Sequence, residues 1–272
     1  MLLGGLDIFL FASLGITAGL LAGLLGIGGG MVIVPGLFYL FTLLKLPGDS
    51  LMHMAAGTSM CIMLCTSAAS TWAHQSKGHV QWGIFKKIIA AIGIGVVSGN
   101  LLANRLNTEV LELLFGLLLL SVAIKILLAW KPKQDLEREL PGNATTNAVG
   151  WAIGFKSGVL GVGGGALSVP FLLYCGLPMN QASGTSASFT LPIAVFGTLS
   201  FMLISGDQAA IPWATGYIYW PAFLLVAPFT VLGAPIGAKL SRVISAQKLR
   251  MVFAFLLLFL SAKMLGGVEH IV

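Results

Sequence analysis

Charge is what this sequence has least of. Of its 272 residues, 9% are Asp, Glu, Lys or Arg and 57% are hydrophobic, where soluble domains carry about 25% charged residues. With a mean hydropathy of +0.96, the chain cannot be an ordinary soluble domain and must cross a bilayer several times. Cysteine is scarce too. Cys61, Cys65 and Cys175 all fall in apolar runs, with neither a disulfide framework nor a metal-ligand spacing, so they read as packing residues. No Ser/His/Asp or Cys/His grouping has a credible membrane-embedded geometry, and no paired carboxylates lie within the spans. The sequence therefore argues against an enzyme, calls for no cofactor or metal, and gives no support to proton or sodium coupling through a buried acidic pair. The formal charge of +6 fits cytoplasmic loops that follow the positive-inside rule rather than nucleic-acid binding. The N-terminus, MLLGGLDIFLFASLG, has no basic n-region and carries Asp7, which reads as a retained first helix and not a cleaved signal.

Long apolar runs are what the sequence has in abundance. A membrane helix needs about 20 residues, and such runs occur at 6–27, 51–72, 83–103, 109–130, 181–205, 216–238 and 247–267. Shorter apolar pieces lie at 31–46, 147–161 and 165–178, and the hydrophilic stretch KPKQDLERELPGN at 131–143 divides the chain. Across that division the sequence repeats itself. GLLGIGGGMVIVP (23–35) matches GVLGVGGGALSVP (158–170), and AGTS (56–59) matches SGTS (183–186). GNLLANRL (99–106) resembles GAPIGAKL (233–240), and 110–127 resembles 248–265. Four blocks in the same order imply a tandem duplication. The expected fold is an all-α polytopic membrane protein with a first repeat at 1–130, a cytoplasmic linker at 131–143 and a second repeat at 144–272. Each repeat has about five hydrophobic segments, with glycine-broken helices that either span or re-enter. An odd number of segments inverts the second copy, the arrangement typical of secondary transporters.

Loop charge predicts the orientation. Lys77, Lys86, Lys87, Lys131, Lys133, Arg138, Lys239, Arg242, Lys248 and Arg250 fall in one set of connections, and only Lys45 and Arg105 in the other. The first set is expected to be cytoplasmic, which puts both termini outside.

The glycine clusters are the candidate site. Gly28, Gly29, Gly30 and Gly163, Gly164, Gly165 interrupt apolar segments at matching places, followed by Pro35 and Pro170. Matched interruptions of this kind point to a transporter's binding site. A helix restarting at about Met31 and Ala166 offers unpaired N–H groups and a positive dipole end, which suit an anion, and glycine lets the anion approach the backbone. Close helix packing through small residues is the competing explanation, and it is the one adopted for the Gly95/Gly99 and Gly233/Gly237 pairs. Thr58, Ser59, Thr185 and Ser186 could donate hydroxyl hydrogen bonds to an oxyanion, or bond between helices. Lys156 is a charge inside a short apolar piece with Leu21 as its first-half counterpart. It is a candidate charge partner for an anion, with snorkelling to the interface as the alternative. His74 and His79 flank Lys77 in a cytoplasmic loop, and Trp72, Trp82, Trp130, Trp151 and Trp213 fall near span ends, where an aromatic belt would place them.

The doubled G-x-x-G-x-G-G-G with its following proline, at Gly23, Gly26, Gly28–Gly30 and Pro35 and again at Gly158, Gly161, Gly163–Gly165 and Pro170, resembles the sulfite exporter TauE/SafE family. The Gly-Thr-Ser pairs and G-H-V-x-W at Gly78–Trp82 are similar to that family's pattern; the second-half counterpart of the latter is sought at Gly206-Asp207 and Ile211-Pro212-Trp213. The resemblance covers nearly the whole chain. It implies export of small sulfur-containing anions, such as sulfite or organosulfonates, across a bacterial inner membrane. The residues themselves reach as far as an anion carrier, with an anion channel or a carrier of another small organic anion or sulfur compound as alternatives. The expected partners are that small anion and the lipid bilayer, with no nucleic acid; assembly as a homo-oligomer is compatible with the sequence.

Overall fold

A computed structural model describes residues 4–25, 29–46, 50–128, 140–203, 211–240 and 246–266. Ten α-helices occupy them, numbered in chain order: α1 Gly5–Leu25, α2 Gly30–Leu43, α3 Leu51–Gln75, α4 Trp82–Ala103, α5 Thr108–Leu127, α6 Asn143–Leu160, α7 Gly165–Tyr174, α8 Met179–Leu203, α9 Trp220–Leu240 and α10 Ala246–Gly266. A two-stranded hairpin, β1 Ala214–Thr215 and β2 Ile218–Tyr219, precedes α9. The fold is that of an all-α polytopic membrane protein. Among the described residues, six helices (α1, α3, α4, α5, α8 and α9) are long and apolar enough to cross a membrane. In contrast α7, with 10 residues, reaches about 15 Å, half of a hydrocarbon core of about 30 Å.

Boundaries moved where turn chemistry outweighed hydropathy. The apolar run expected from 216 starts as the hairpin, because Gly216 takes a left-handed φ of +58°, and the helix begins only at Trp220. The piece expected from 147 is helical from Asn143, since polar Asn143, Thr145 and Thr146 are tolerated in a first turn where Thr146 Oγ1 bonds the Pro141 carbonyl at 2.8 Å.

The packing pattern is unchanged when the halves are exchanged, with α1 to α5 corresponding to α6 to α10. Thus α1 lies along α9 as α6 lies along α4, α3 contacts α9 as α8 contacts α4, and α3 crosses α8 while α5 packs on α10. The fourth helix of each half therefore packs on the first and third helices of the other. This makes two interlocked groups, α1–α2–α3–α9 and α6–α7–α8–α4, meeting at α3 and α8.

Glycine permits those exchanges. On α1, Gly15, Gly19 and Gly23 rest on the carbonyls of Val226, Thr230 and Ala234; on α6, Gly150, Gly154 and Gly158 rest on Ile88, Ile92 and Val96. In return Gly95 and Gly99 of α4 abut the carbonyls of Trp151 and Phe155, and Gly233 and Gly237 of α9 abut those of Ile16 and Leu20. A methyl group at any of these positions overlaps backbone on the facing helix, except at Gly150, where it overlaps the Ile88 side chain. In lipid, where hydrophobicity does not drive helix association, such close van der Waals contact does. The contacts also correct the internal alignment. Gly95 and Gly99 correspond to Gly233 and Gly237, four residues away from the register that matched GNLLANRL with GAPIGAKL.

Candidate functional site

Helix α6 ends in Gly161, whose φ of +68° is left-handed and therefore natural only for glycine. Val162, Gly163 and Gly164 follow, and α7 starts at Gly165. In the first half α2 starts at Gly30, so both helices restart one residue earlier than expected; Gly28 lies outside the described residues. Gly29 and Gly164 are the equivalent cap residues. The Gly29 carbonyl accepts from Val32 N at 3.0 Å and Ile33 N at 2.9 Å, and that of Gly164 from Leu167 N at 3.1 Å and Ser168 N at 3.0 Å. Neither start has a side-chain cap, so the first-turn N–H groups lack the usual Ser, Thr, Asp or Asn partner. Pro35 and Pro170 stand inside α2 and α7, where each removes one further N–H donor.

The two breaks touch. A Cβ on Gly30 would lie 3.2 Å from Val162 Cα, 3.4 Å from Gly163 N and 3.2 Å from Met63 Sδ. A Cβ on Gly163 would lie 3.0 Å from Thr190 Cγ2 and 3.6 Å from the same sulfur. Met63 and Thr190 were not singled out in the sequence, although each follows its Gly-Thr-Ser serine by four residues and so shares that serine's helix face.

Polar groups gather at the second break. The Lys156 ammonium donates to the Gly163 carbonyl at 3.4 Å, which brings this lysine to the site; no carboxylate pairs with it among the described residues. Ser168 Oγ donates to the Gly164 carbonyl at 3.0 Å and lies 2.6 Å from Ser186 Oγ, which makes Ser186 the donor of that pair. Ser59, the counterpart of Ser186, is fully buried and its hydroxyl has no hydrogen-bond partner. The reason is visible in the repeat: Ile33 stands where the second half has Ser168.

Thr58 and Thr185 have a different occupation. Thr58 Oγ1 accepts the Tyr219 backbone N–H at 3.0 Å, and Thr185 Oγ1 accepts that of Gln81 at 3.0 Å. Beside them Gly57 packs on Tyr217 and Gly184 on His79. Each Gly-Thr-Ser thus holds the segment that leads into the other half's fourth helix. That symmetry identifies GYIYW at 216–220 as the counterpart of GHVQW at 78–82, because both open on a left-handed glycine (φ +67° at Gly78, +58° at Gly216) and both end at a helix-starting tryptophan. The counterpart is therefore not at 206–213, as expected from the sequence: the turn is kept at 216–220, but Tyr217 and Tyr219 stand in place of His79 and Gln81.

Outside the centre, the His74 and His79 rings lie 5.9 Å apart at the end of α3. Trp72, Trp82, Trp151 and Trp213 are all exposed, as an aromatic belt requires, and Trp130 lies outside the described residues. One charge escaped the sequence reading: Glu112, in the second turn of α5, is buried without an ion pair among the described residues. With Glu109 three residues before it, the run at 109–130 does hold two carboxylates, which corrects the expectation of none.

A family model described as sulfite exporter TauE/SafE matches residues 11–264. The chain belongs to the TauE/SafE family. Among its relatives are "Probable membrane transporter protein" of Haemophilus influenzae, 32% identical over 258 residues (94% of this chain, 97% of the relative), and a Methanocaldococcus jannaschii protein of the same description, 28% identical over 250 residues (89% and 90%). "Probable membrane transporter protein YunE" of Bacillus subtilis is 24% identical over 270 residues (93% and 95%). No solved structure gives a significant match. A TauE/SafE membrane transporter accounts for the apolar helices and for the doubled glycine motif, whose Gly30 and Gly163 meet in this fold.

Proposed function

We propose that this TauE/SafE protein is a secondary carrier that exports small sulfur-containing anions, such as sulfite or organosulfonates, by alternating access, with the anion held where the two glycine breaks meet. The observation that carries this reading is the Lys156 ammonium on the Gly163 carbonyl, without a carboxylate partner among the described residues, beside two helix starts that have no side-chain caps. A positive charge at membrane depth is costly unless something answers it, and an anion bound at the first-turn N–H groups does so. The unpartnered hydroxyl of Ser59 supplies a neutral donor, while Ser186 spends its proton on Ser168 and holds that side chain in place. Thr58 and Thr185 serve as positioning groups in this reading, since their oxygens are engaged by the backbone of the other half.

The packing argues for which bodies move. The two sequence halves interlock through close backbone contact at α1–α9 and α4–α6, so neither half can turn as a unit. The groups α1–α2–α3–α9 and α6–α7–α8–α4 are the natural rigid bodies, hinged where α3 crosses α8, with the breaks between them. The basic connections face the cytoplasm, and both termini face outward, in a bacterial inner membrane.

The test is counterflow of labelled sulfite in proteoliposomes. A carrier gives saturable exchange, and Lys156→Met lowers it at least about tenfold, the loss expected for one charge-assisted hydrogen bond of about 1.5–3 kcal/mol. Linear, non-saturating flux identifies a channel instead, and exchange unchanged in Lys156→Met removes the lysine from the site.

A further inference from the structure

The side chains around the two breaks correspond pair by pair between the halves, and the pairs differ in one consistent direction. Lys156 corresponds to Leu21, Ser168 to Ile33 and Thr190 to Met63. The contacts obey the same correspondence. A Cβ on Gly164 would lie 3.6 Å from Ser168 Oγ, and one on Gly29 would lie 3.1 Å from Ile33 Cδ1. Thr190 meets Gly163 from one side while Met63 Sδ touches both Gly30 and Gly163. The second break therefore has an ammonium and hydroxyls set among the apolar side chains of Ile153 and Ile193, whereas the first has Ile33, and Met63 lies between the two breaks. Only the Ser59/Ser186 pair keeps a hydroxyl on both sides. Ser59, buried and without a partner, has one hydrogen bond to give and no charge.

We infer that the anion site is two-ended: the second half's break takes a charged oxyanion head, and Met63 with Ile33 takes an uncharged aliphatic end. This rests on the carrier reading above and names its substrate class as a monoanion with a short apolar tail, an alkanesulfonate being the simplest. A tetrahedral dianion such as sulfate has oxygens on every side and would press two of them against groups that cannot donate. A dianion charged at both ends would bury its second charge against sulfur and hydrocarbon without a partner. Methionine suits the tail role because its flexible, polarisable side chain adapts to tails of different length. Met63 is thus the specificity-determining residue for the tail, while Thr190 at the equivalent position, whose hydroxyl donates to the Ser186 carbonyl at 3.3 Å, positions the second break that takes the head.

The experiment measures dissociation constants by thermal stabilisation of the purified full-length protein. The probes are sulfate, 2-sulfoacetate and methane-, ethane- and propanesulfonate, for wild type, Met63→Thr, Met63→Leu and Thr190→Val. In wild type each added methylene should tighten binding about fourfold until the apolar wall is filled, and sulfate and 2-sulfoacetate should bind more weakly than ethanesulfonate. Met63→Thr should flatten the dependence on tail length, and Met63→Leu, which keeps an apolar wall of similar volume, should retain it. Thr190→Val should weaken all three alkanesulfonates by the same factor. If the sulfonates bind with no dependence on tail length, or if Met63→Thr leaves that dependence intact while the protein remains folded, the two-ended site is wrong and the anion carrier stands. If no anion stabilises the wild-type protein, both readings fall.

Discussion

Thr58→Val separates a residue that ties the fold together from one that binds cargo. Valine has nearly the shape of threonine, so the substitution removes the acceptor at 3.0 Å from the Tyr219 N–H and little else. Thr58 is fully buried and Tyr219 nearly so, and water cannot replace the lost oxygen. A buried donor left without a partner costs about 1–3 kcal/mol. At about 2–4 °C per kcal/mol for a chain of this size class, the melting temperature in detergent should fall by about 2–12 °C. The symmetric change, Thr185→Val, orphans the N–H of the half-exposed Gln81 and should cost less, because water can reach that group. The two contacts lie in different places and share no residue, so the double variant should lose the sum of the two to within about 0.5 kcal/mol. Anion affinity in Thr58→Val should stay within about threefold of wild type, ~0.6 kcal/mol, because Thr58 Oγ1 already serves the backbone. Melting within 1 °C of wild type, or an anion affinity that collapses while melting is unchanged, would refute the reasoning.

Other substitutions probe other levels of the structure. Gly161→Ala combines a left-handed φ of +68° with overlap on Ala56 backbone and should yield no monodisperse protein on size exclusion. Gly78→Ala has the same left-handed φ but open space around it and should cost only about 1–2 kcal/mol, read as a small fall in melting temperature. Gly154→Leu drives a side chain into the Ile92 carbonyl and should separate α4 from α6, lowering both expression and melting temperature; Gly83→Ala, with nothing near it, is the matched control and should behave as wild type. Glu112→Gln removes a buried charge that has no ion pair among the described residues, so the melting temperature at pH 7 should hold or rise; a fall would mean the carboxylate is engaged.

Much of this architecture is written along the chain in one dimension. Apolar run length marks the long helices, because each spans lipid with its own backbone bonded internally. The duplication is legible as repeated blocks, and the glycine clusters mark where helices stop. The pairs Gly95/Gly99 and Gly233/Gly237 were rightly read as packing positions from their four-residue spacing alone. Where local signals were weak, boundaries drifted: the helix after Gly216 starts at Trp220 because a two-residue hairpin looks as apolar as a helix.

Partnership between distant residues had no such local trace. Hydropathy does not say that the fourth helix of each half joins the other half, since lipid-facing and protein-facing glycine stripes look alike in sequence. Whether the hydroxyl of Thr58 meets cargo or the Tyr219 N–H depends on what lies opposite, and that is settled only when the halves interlock. Met63 carries no sequence signal of its own, and only the fold brings its sulfur to both Gly30 and Gly163. The sequence by itself determined the membrane class, the duplication and the positions of the breaks, because each is a property of neighbouring residues. Tertiary structure alone decided which half holds which, and which side chains face the crossing of Gly30 and Gly163, because the first is a matter of contacts between residues more than a hundred positions apart, such as Thr58 and Tyr219, and the second depends on that crossing.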